Sequence, residues 1–424
     1  MKKLFFCATL VTLTFVACSN EEDWSIEMNS QKVVQSKTRS IEEAAQIAQN
    51  AIGMLTDAET RSIGDRCIDF GNVKFVTTAS TRNGEKDTLL YVFNYTNNNG
   101  FAVVSANKTT EPLLAVTEQG TYDSTTANEN NGFNLFMDMA EQYVSTTSTE
   151  LEPIPDDGTE DFMQIKIVSD TVNEVKVAPK LCVQWGQTGY EGAFAPNGIA
   201  GCGNVAATQV MSYYCHPTQL NITFSGAPTS LLTLDWNAIK LHPIEHSNLI
   251  CFATDEAHTA IGLLHREIGE LNYSTYNTNS TSTYISNVRN TFIQLGYTTS
   301  SITNYSNENF YSQLSNNKLL YMGGSATVGG HAWVVDGCHK FTVNQVEWIK
   351  ENSNSKWEVS EVYDPVNVEY LHINWGWDGS CNGYFYVGVF STDRAISYDN
   401  RDTFVNNNVA YDFDTNLRYF EISK

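Results

Sequence analysis

The stretch GIAGCGNVAATQVMSYY, residues 198–214, constrains the chain more than any other. Cys202 stands between two glycines and is followed at once by the helix formers Ala206, Ala207, Gln209 and Met211, while Pro217 marks the far end. The pattern predicts a glycine loop that opens directly into a helix, with Cys202 in its first turn. Free N–H groups and the positive end of the helix dipole gather there and favour a thiolate. A cysteine in a core is more often a small hydrophobe, so the thiolate reading needs a base brought close by the fold.

Among the eight histidines, His331 stands out in GGSATVGGHAWVVDG, where glycines clear one side of the ring and AWVV anchors a strand. An imidazole paired with a thiolate works only with its ring held in one orientation and tautomer. LHINWGWDGSCNGYFYV offers Asn374 at the end of an apolar strand, with an amide oxygen that accepts from a ring N–H. Trp375 and Trp377 follow, and an indole laid over that bond keeps water from it. Asp336 is a rival orienter, but five residues along a strand from His331 it faces the opposite side. The oxyanion of an acyl-transfer intermediate needs aimed donors. The Cys202 N–H is one, and Gln187, in the loop VQWGQTGY, is the other candidate.

The 424 residues suffice for two or three domains, and the 42% apolar content can build a substantial core. With 48 acidic against 25 basic residues the chain has no basic stripe, which argues against a nucleic-acid partner. A helix is expected from Ser40, the N-cap of a capping box closed by Glu43. KDTLLYVFNYTNNNGFAVVSA reads as a hairpin and EPLLAVTEQGTYD as a further strand. The run NGFNLFMDMAEQYVSTTS reads as a helix with Phe133, Leu135, Phe136, Met139 and Tyr143 on its apolar face. Residues 149–170, rich in Pro and acidic groups, read as a linker. The larger unit beyond it shows helices from Cys202 and near 252–270, 281–296 and 306–316, then strands. The chain is thus α+β throughout.

MKKLFFCATLVTLTFVACSN has a basic start and a short apolar run, the shape of a secretory signal and too short to span a bilayer. FVAC resembles a bacterial lipoprotein signal, which implies lipidation of Cys18, and the acidic residues after it are similar to the surface-export signal of Bacteroidetes lipoproteins. An exported or cell-surface location is expected. Of nine cysteines, six remain for disulfides if Cys7 is removed, Cys18 lipidated and Cys202 kept free.

Taken together, three ordered motifs, GCGNVAATQVMSYYCHP, GGHAWVVDG and HINWGWDGSCNGYF, resemble those of the streptopain-like C10 cysteine peptidases. GFAVVSANKTTEPLLAVTEQGTYD is similar to the inhibitory pro-domain of that family. The resemblance implies a papain-like fold, with Cys202 as nucleophile, His331 as general base and acid, Asn374 as orienter, Trp375 as shield and Gln187 as oxyanion donor. It implies protein or peptide substrates, no metal or organic cofactor, and a pro-domain that acts as an intramolecular inhibitor. The expected organisation is a signal over 1–17, a tether over 18–39, pro-domain and linker over 40–165, and catalytic domain over 166–424, with activating cleavage near 160–178. The family usually has Val-Ala after the nucleophile, whereas Gly203 and Asn204 stand here, a change expected to bear on the primed-side surface or the helix start. Two other readings share these residues: a non-catalytic surface lipoprotein that binds protein or glycan, and a Cys-His hydrolase such as a peptidoglycan amidase or transglutaminase.

Overall fold

The computed structural model describes residues 24–25, 37–55, 66–78, 87–123, 131–147, 164–241, 254–306, 310–326, 329–350, 355–390 and 417–424. The signal-like segment, Cys7, Cys18, Cys251 and residues 149–163 lie outside them. Two compact units are present: Met1–Lys32, Asp156–Val172 and Val343–Val366 form one, and Val33–Pro155, Asn173–Thr342 and Asn367–Lys424 the other. In the smaller unit Trp24 and Ser25 pair antiparallel with Ser169 and Val168, and Val346–Ile349 pairs with Glu358–Val362 across a bulge at Glu347 and Trp348.

The larger unit is organised by one sheet, whose strand order runs Thr298–Thr299, Arg418–Ser423, Leu319–Ala326, Gly329–Lys350, Val366–Asn374, Gly383–Tyr386, Leu113–Thr117, Phe101–Ser105, Thr88–Tyr95, Ile68–Thr77. The last four strands come from the N-terminal region, so its sheet continues the C-terminal one. The joint is antiparallel, with Gly383 opposite Thr117, Tyr384 opposite Val116 and Phe385 opposite Ala115. Gly383 is required there, because a Cβ would lie 2.2 Å from the Val116 carbonyl oxygen.

The expected N-terminal elements form. Ser40 and Glu43 close the capping box on the helix Ile41–Ala51, whose small residues Ala44, Ala48 and Ala51 let it lie close on the sheet. The hairpin Thr88–Tyr95 and Phe101–Ser105 turns through Asn97 and Asn98, both at positive φ, which asparagine tolerates. The helix Asn131–Thr146 buries Phe133, Leu135, Phe136, Met139 and Tyr143 in a core shared with Trp333, Trp375, Phe385 and Phe390.

A second core surrounds the helix Cys202–Tyr214, in which every residue from Gly203 to Ser212 is buried. It packs against the helices Asp255–Leu271 and Ile285–Gln294. The fourth expected helix is short, Tyr311–Ser315.

The linker reading of 149–170 needs correction at its end, since Gln164–Val177 is a strand. Its β-branched residues Ile165, Ile167, Val168, Val172, Val175 and Val177 favour a strand, and the acidic content ahead of it masks that signal. The tail of this strand is stapled down: Glu174 meets His339 at 2.6 Å, and the Lys180 and Leu181 N–H groups donate to Asp336 Oδ2 at 2.9 and 2.8 Å. The six described cysteines outside the signal region, Cys67, Cys182, Cys202, Cys215, Cys338 and Cys381, are all free thiols, so the disulfides that remained open in the sequence do not form among them.

Phe136 of the helix Asn131–Thr146 packs 4.8 Å from the Phe385 ring and 5.7 Å from Phe390. Phe136→Ala should cost about 3–5 kcal/mol and lower the midpoint of urea unfolding followed by tryptophan fluorescence; an unchanged midpoint contradicts this packing.

Candidate active site

Gly201 caps the nucleophile helix at φ 92°, a conformation that glycine adopts without strain, and Cys202 follows as the first helical residue. Gly203 is fixed by crowding: a Cβ would lie 2.3 Å from Thr283 Cγ2 and 3.0 Å from the Tyr321 hydroxyl. Gly203 and Asn204 are both buried, so the pair does not build a primed-side surface.

Burial is the largest influence on the Cys202 thiol and resists its ionisation. The thiol nevertheless sits below its ordinary pKa, because the His331 charge and hydrogen bond, and backbone hydrogen bonds from Ala332 and Gly203, favour the thiolate. The same contacts put the sulfur against the start of the strand Gly329–Lys350, beside His331.

The imidazole is oriented differently from the sequence expectation. His331 Nε2 donates to the Trp375 main-chain carbonyl at 2.8 Å, which leaves Nδ1 as the nitrogen able to face the thiol. Asn374 lies one residue away with its amide committed elsewhere. Its Oδ1 accepts from Gln209 Nε2 and the Gly376 N–H, both at 3.1 Å, and its Nδ2 donates to the Val183 carbonyl at 3.0 Å. Both lone pairs of that oxygen are used, so the expected Asn374–His331 bond is replaced by one to the next carbonyl along the chain. Asn374 instead ties the nucleophile helix, through Gln209, to the turn that holds His331.

Three indoles surround the ring. Trp333, Trp375 and Trp377 lie 6.2, 6.3 and 6.3 Å from it, with Trp333 and Trp377 nearly parallel to it. The shield expected from Trp375 is thus shared, and Trp333, two residues along from His331 and so on the same face of its strand, was not singled out by the sequence.

Gln187 lies in the loop ahead of the nucleophile. Its carbonyl accepts from the Ala200 N–H at 2.7 Å, two residues before Cys202. Gly186 sits under Asp378, where a Cβ would approach Oδ1 to 2.3 Å, so this loop also packs on the Trp377–Asp378 turn. Cys202, His331, Asn374, Trp375 and Gln187 are therefore brought into one neighbourhood. Among the described residues no group of three His, Cys, Asp or Glu side chains could hold a metal.

Two further features border the site. Gly132, at the start of the helix Asn131–Thr146, lies on the imidazole: a Cβ there would be 2.3 Å from His331 Cδ2 and 2.5 Å from Trp375 Cε3. Asp336, fully buried, turns away from His331 and accepts from His372 Nδ1 at 2.6 Å. Burial disfavours the His372 cation, but Asp336, and after it Glu118 of the N-terminal region at 3.5 Å, push its pKa up to about 10.

Residues 182–385 match the Peptidase C10 family and residues 31–144 match the Spi protease inhibitor family. The chain carries a C10 peptidase domain. Its inhibitor-like region precedes the domain, so the whole is a cysteine peptidase zymogen. Streptopain of Streptococcus pyogenes is 22% identical over 328 residues, covering 70% of this chain and 73% of streptopain. A Prevotella intermedia prointerpain A fragment aligns over 83% of this chain and 97% of its own length at 17% identity, with a TM-score of 0.49.

His331→Ala removes the main influence that favours the thiolate. In the C10 domain the midpoint of pH-dependent alkylation of Cys202 by iodoacetamide should rise, with about a tenfold slower reaction below the midpoint for each pKa unit. An unmoved midpoint contradicts the pairing.

Proposed function

We propose that this zymogen yields an exported endopeptidase that cleaves peptide bonds through a thioester on Cys202, and that residues 31–144 keep it latent by covering His331. The hydrogen bond between His331 and the Cys202 thiol, at the first residue of its helix, carries this reading. The thiolate adds to the substrate carbonyl and the oxyanion takes hydrogen bonds from the Cys202 N–H and the Gln187 amide. The imidazolium gives its proton to the leaving amine as the C–N bond breaks. His331 then takes a proton from water, which adds to the thioester, and the thiolate leaves as the acid is released. Trp333, Trp375 and Trp377 exclude water from the ring on which both transfers depend.

Latency follows from contact. Gly132 occupies the space beside His331 Cδ2 and Nε2, and the Leu113–Thr117 strand completes the sheet beside the Trp375 turn. Activation then requires cleavage ahead of Glu174, because residues 174–181 are held by His339 and Asp336 as part of the catalytic domain. The signal-like start and Cys18 support export with a lipid anchor, from which such a cut would free the enzyme.

Residues 21–424 and the Cys202→Ala variant, followed by gel and intact mass with casein present, test the reading. The parent should shed its N-terminal region, begin at a residue before Glu174 and degrade casein, while the variant does neither. Casein left intact by a processed chain would favour the binding or amidase readings.

Burial pushes Glu111 and Glu141 of the N-terminal region to about 7 and Asp138 to about 6, against the opposing Tyr370 hydrogen bond and Arg39 charge at Glu111. Carboxyls raised in this way lend stability that is whole below their unfolded values, roughly 4, and is lost as pH climbs through 6 to 7. The Cys202→Ala precursor should therefore melt at a lower temperature at pH 8 than at pH 5.5, and the reverse order would contradict this.

A further inference from the structure

Asn204 is fully buried in the first turn of the nucleophile helix, where an amide side chain costs stability unless every polar atom is paired. Its capacity is filled. Nδ2 donates to the Ala200 carbonyl at 2.8 Å and to Ser274 Oγ at 3.0 Å. Oδ1 accepts from Asn272 Nδ2 at 2.8 Å and from Ser274 Oγ at 3.3 Å. One side chain thus joins the helix, the loop before it and the turn that ends the helix Asp255–Leu271.

The bond to Ala200 is the informative one. The carbonyl of Ala200 is held by Asn204 and its N–H is held by the Gln187 carbonyl, so the residue is gripped from both sides. Its neighbour Gly201 lies against Thr281, where an added Cβ would come within 2.8 Å of Cγ2. Thr281 Oγ1 in turn donates to the Ile199 carbonyl at 2.8 Å, and the Ile199 N–H donates to Asn197 Oδ1 at 3.1 Å. Asn197, Ile199, Ala200 and Gly201 therefore each meet a named polar or steric partner, and Asn204 supplies the side-chain hydrogen bond nearest the nucleophile.

We propose that Asn204 is a positioning residue for the oxyanion site: by gripping Ala200 it sets the Gln187 loop at a fixed distance from the Cys202 N–H, so that both donors aim at one oxygen. The proposal rests on the reading of Gln187 as an oxyanion donor. Donors of this kind act only when fixed before the charge develops, and a displacement of about 1 Å can cost about a hundredfold in rate. Asn204 does not act on the thiol, whose ionisation is governed by burial, His331, Ala332 and Gly203.

The test is a double-mutant cycle on chains processed in trans by immobilised parent enzyme and assayed with a fluorogenic peptide. Asn204→Ala should lower kcat by about 10- to 100-fold with KM within about twofold, and leave the pH profile of Cys202 alkylation in place. In a Gln187→Ala background the same change should cost nothing more. Ser274→Ala, at a half-buried position, covers the case in which Asn204→Ala does not fold. It should lower kcat several-fold, and that loss should likewise vanish in the Gln187→Ala background. If Gln187→Ala lowers kcat and the second loss adds in full, the oxyanion reading stands and the positioning role is overturned. A Gln187→Ala enzyme of unchanged kcat overturns both.

Discussion

A strand joint of three residue pairs, Ala115–Phe385, Val116–Tyr384 and Thr117–Gly383, is the contact on which the latent arrangement depends. It makes one sheet of two regions and seats the helix Asn131–Thr146 in a core that already contains Trp333 and Trp375. From the joint a short series of hydrogen bonds reaches the imidazole. The Glu118 N–H donates to the Asn382 carbonyl at 2.8 Å, the Trp375 N–H donates to Asn382 Oδ1 at 3.0 Å, and the Trp375 carbonyl accepts from His331 Nε2 at 2.8 Å. The inhibitor-like region therefore covers the histidine with Gly132 and also bonds to the backbone that orients it.

Polar burial reinforces the joint. Tyr370 of the catalytic sheet brings its hydroxyl to 3.0 Å from both the Glu111 carboxylate and the Leu113 carbonyl. His372 lies between Asp336, which also holds the Lys180 and Leu181 backbone just ahead of the C10 match, and Glu118 of the N-terminal region. Buried charges of this kind are tolerated only when paired, and loss of one partner leaves the other exposed to the full cost of desolvation. Departure of the inhibitor-like region removes Glu118 from His372 and Glu111 from Tyr370 together, so the contacts are tied to one event.

Much of the site was legible because its signals are local. A glycine-flanked cysteine before a run of helix formers, a histidine behind two glycines at a strand start, and an Asn-Trp pair at a strand end each carry their own backbone context. The orientation of Asp336 also followed from strand periodicity. What stayed hidden depends on distant partners. Whether Asn374 reaches His331 turns on Gln209 and Val183, separated from it by 165 and 191 residues. Gly132 reads as an ordinary residue at a helix start until the fold lays it on the imidazole. The strand Gln164–Val177 was obscured by the Pro-rich, acidic segment ahead of it, whose composition dominates any window that spans both.

Activation of the zymogen must break the joint between Leu113–Thr117 and Gly383–Tyr386 if that joint maintains latency. Amide hydrogen exchange of Cys202→Ala, measured on the intact chain and again after cleavage in trans and removal of the N-terminal region, reads this directly. Gly383–Tyr386 and the Trp375 N–H should be strongly protected in the intact chain, with marked loss at both places afterwards. Equal protection in the two forms would show that neither the strand nor the turn that holds His331 depends on the inhibitor-like region, and that latency does not rest on this joint.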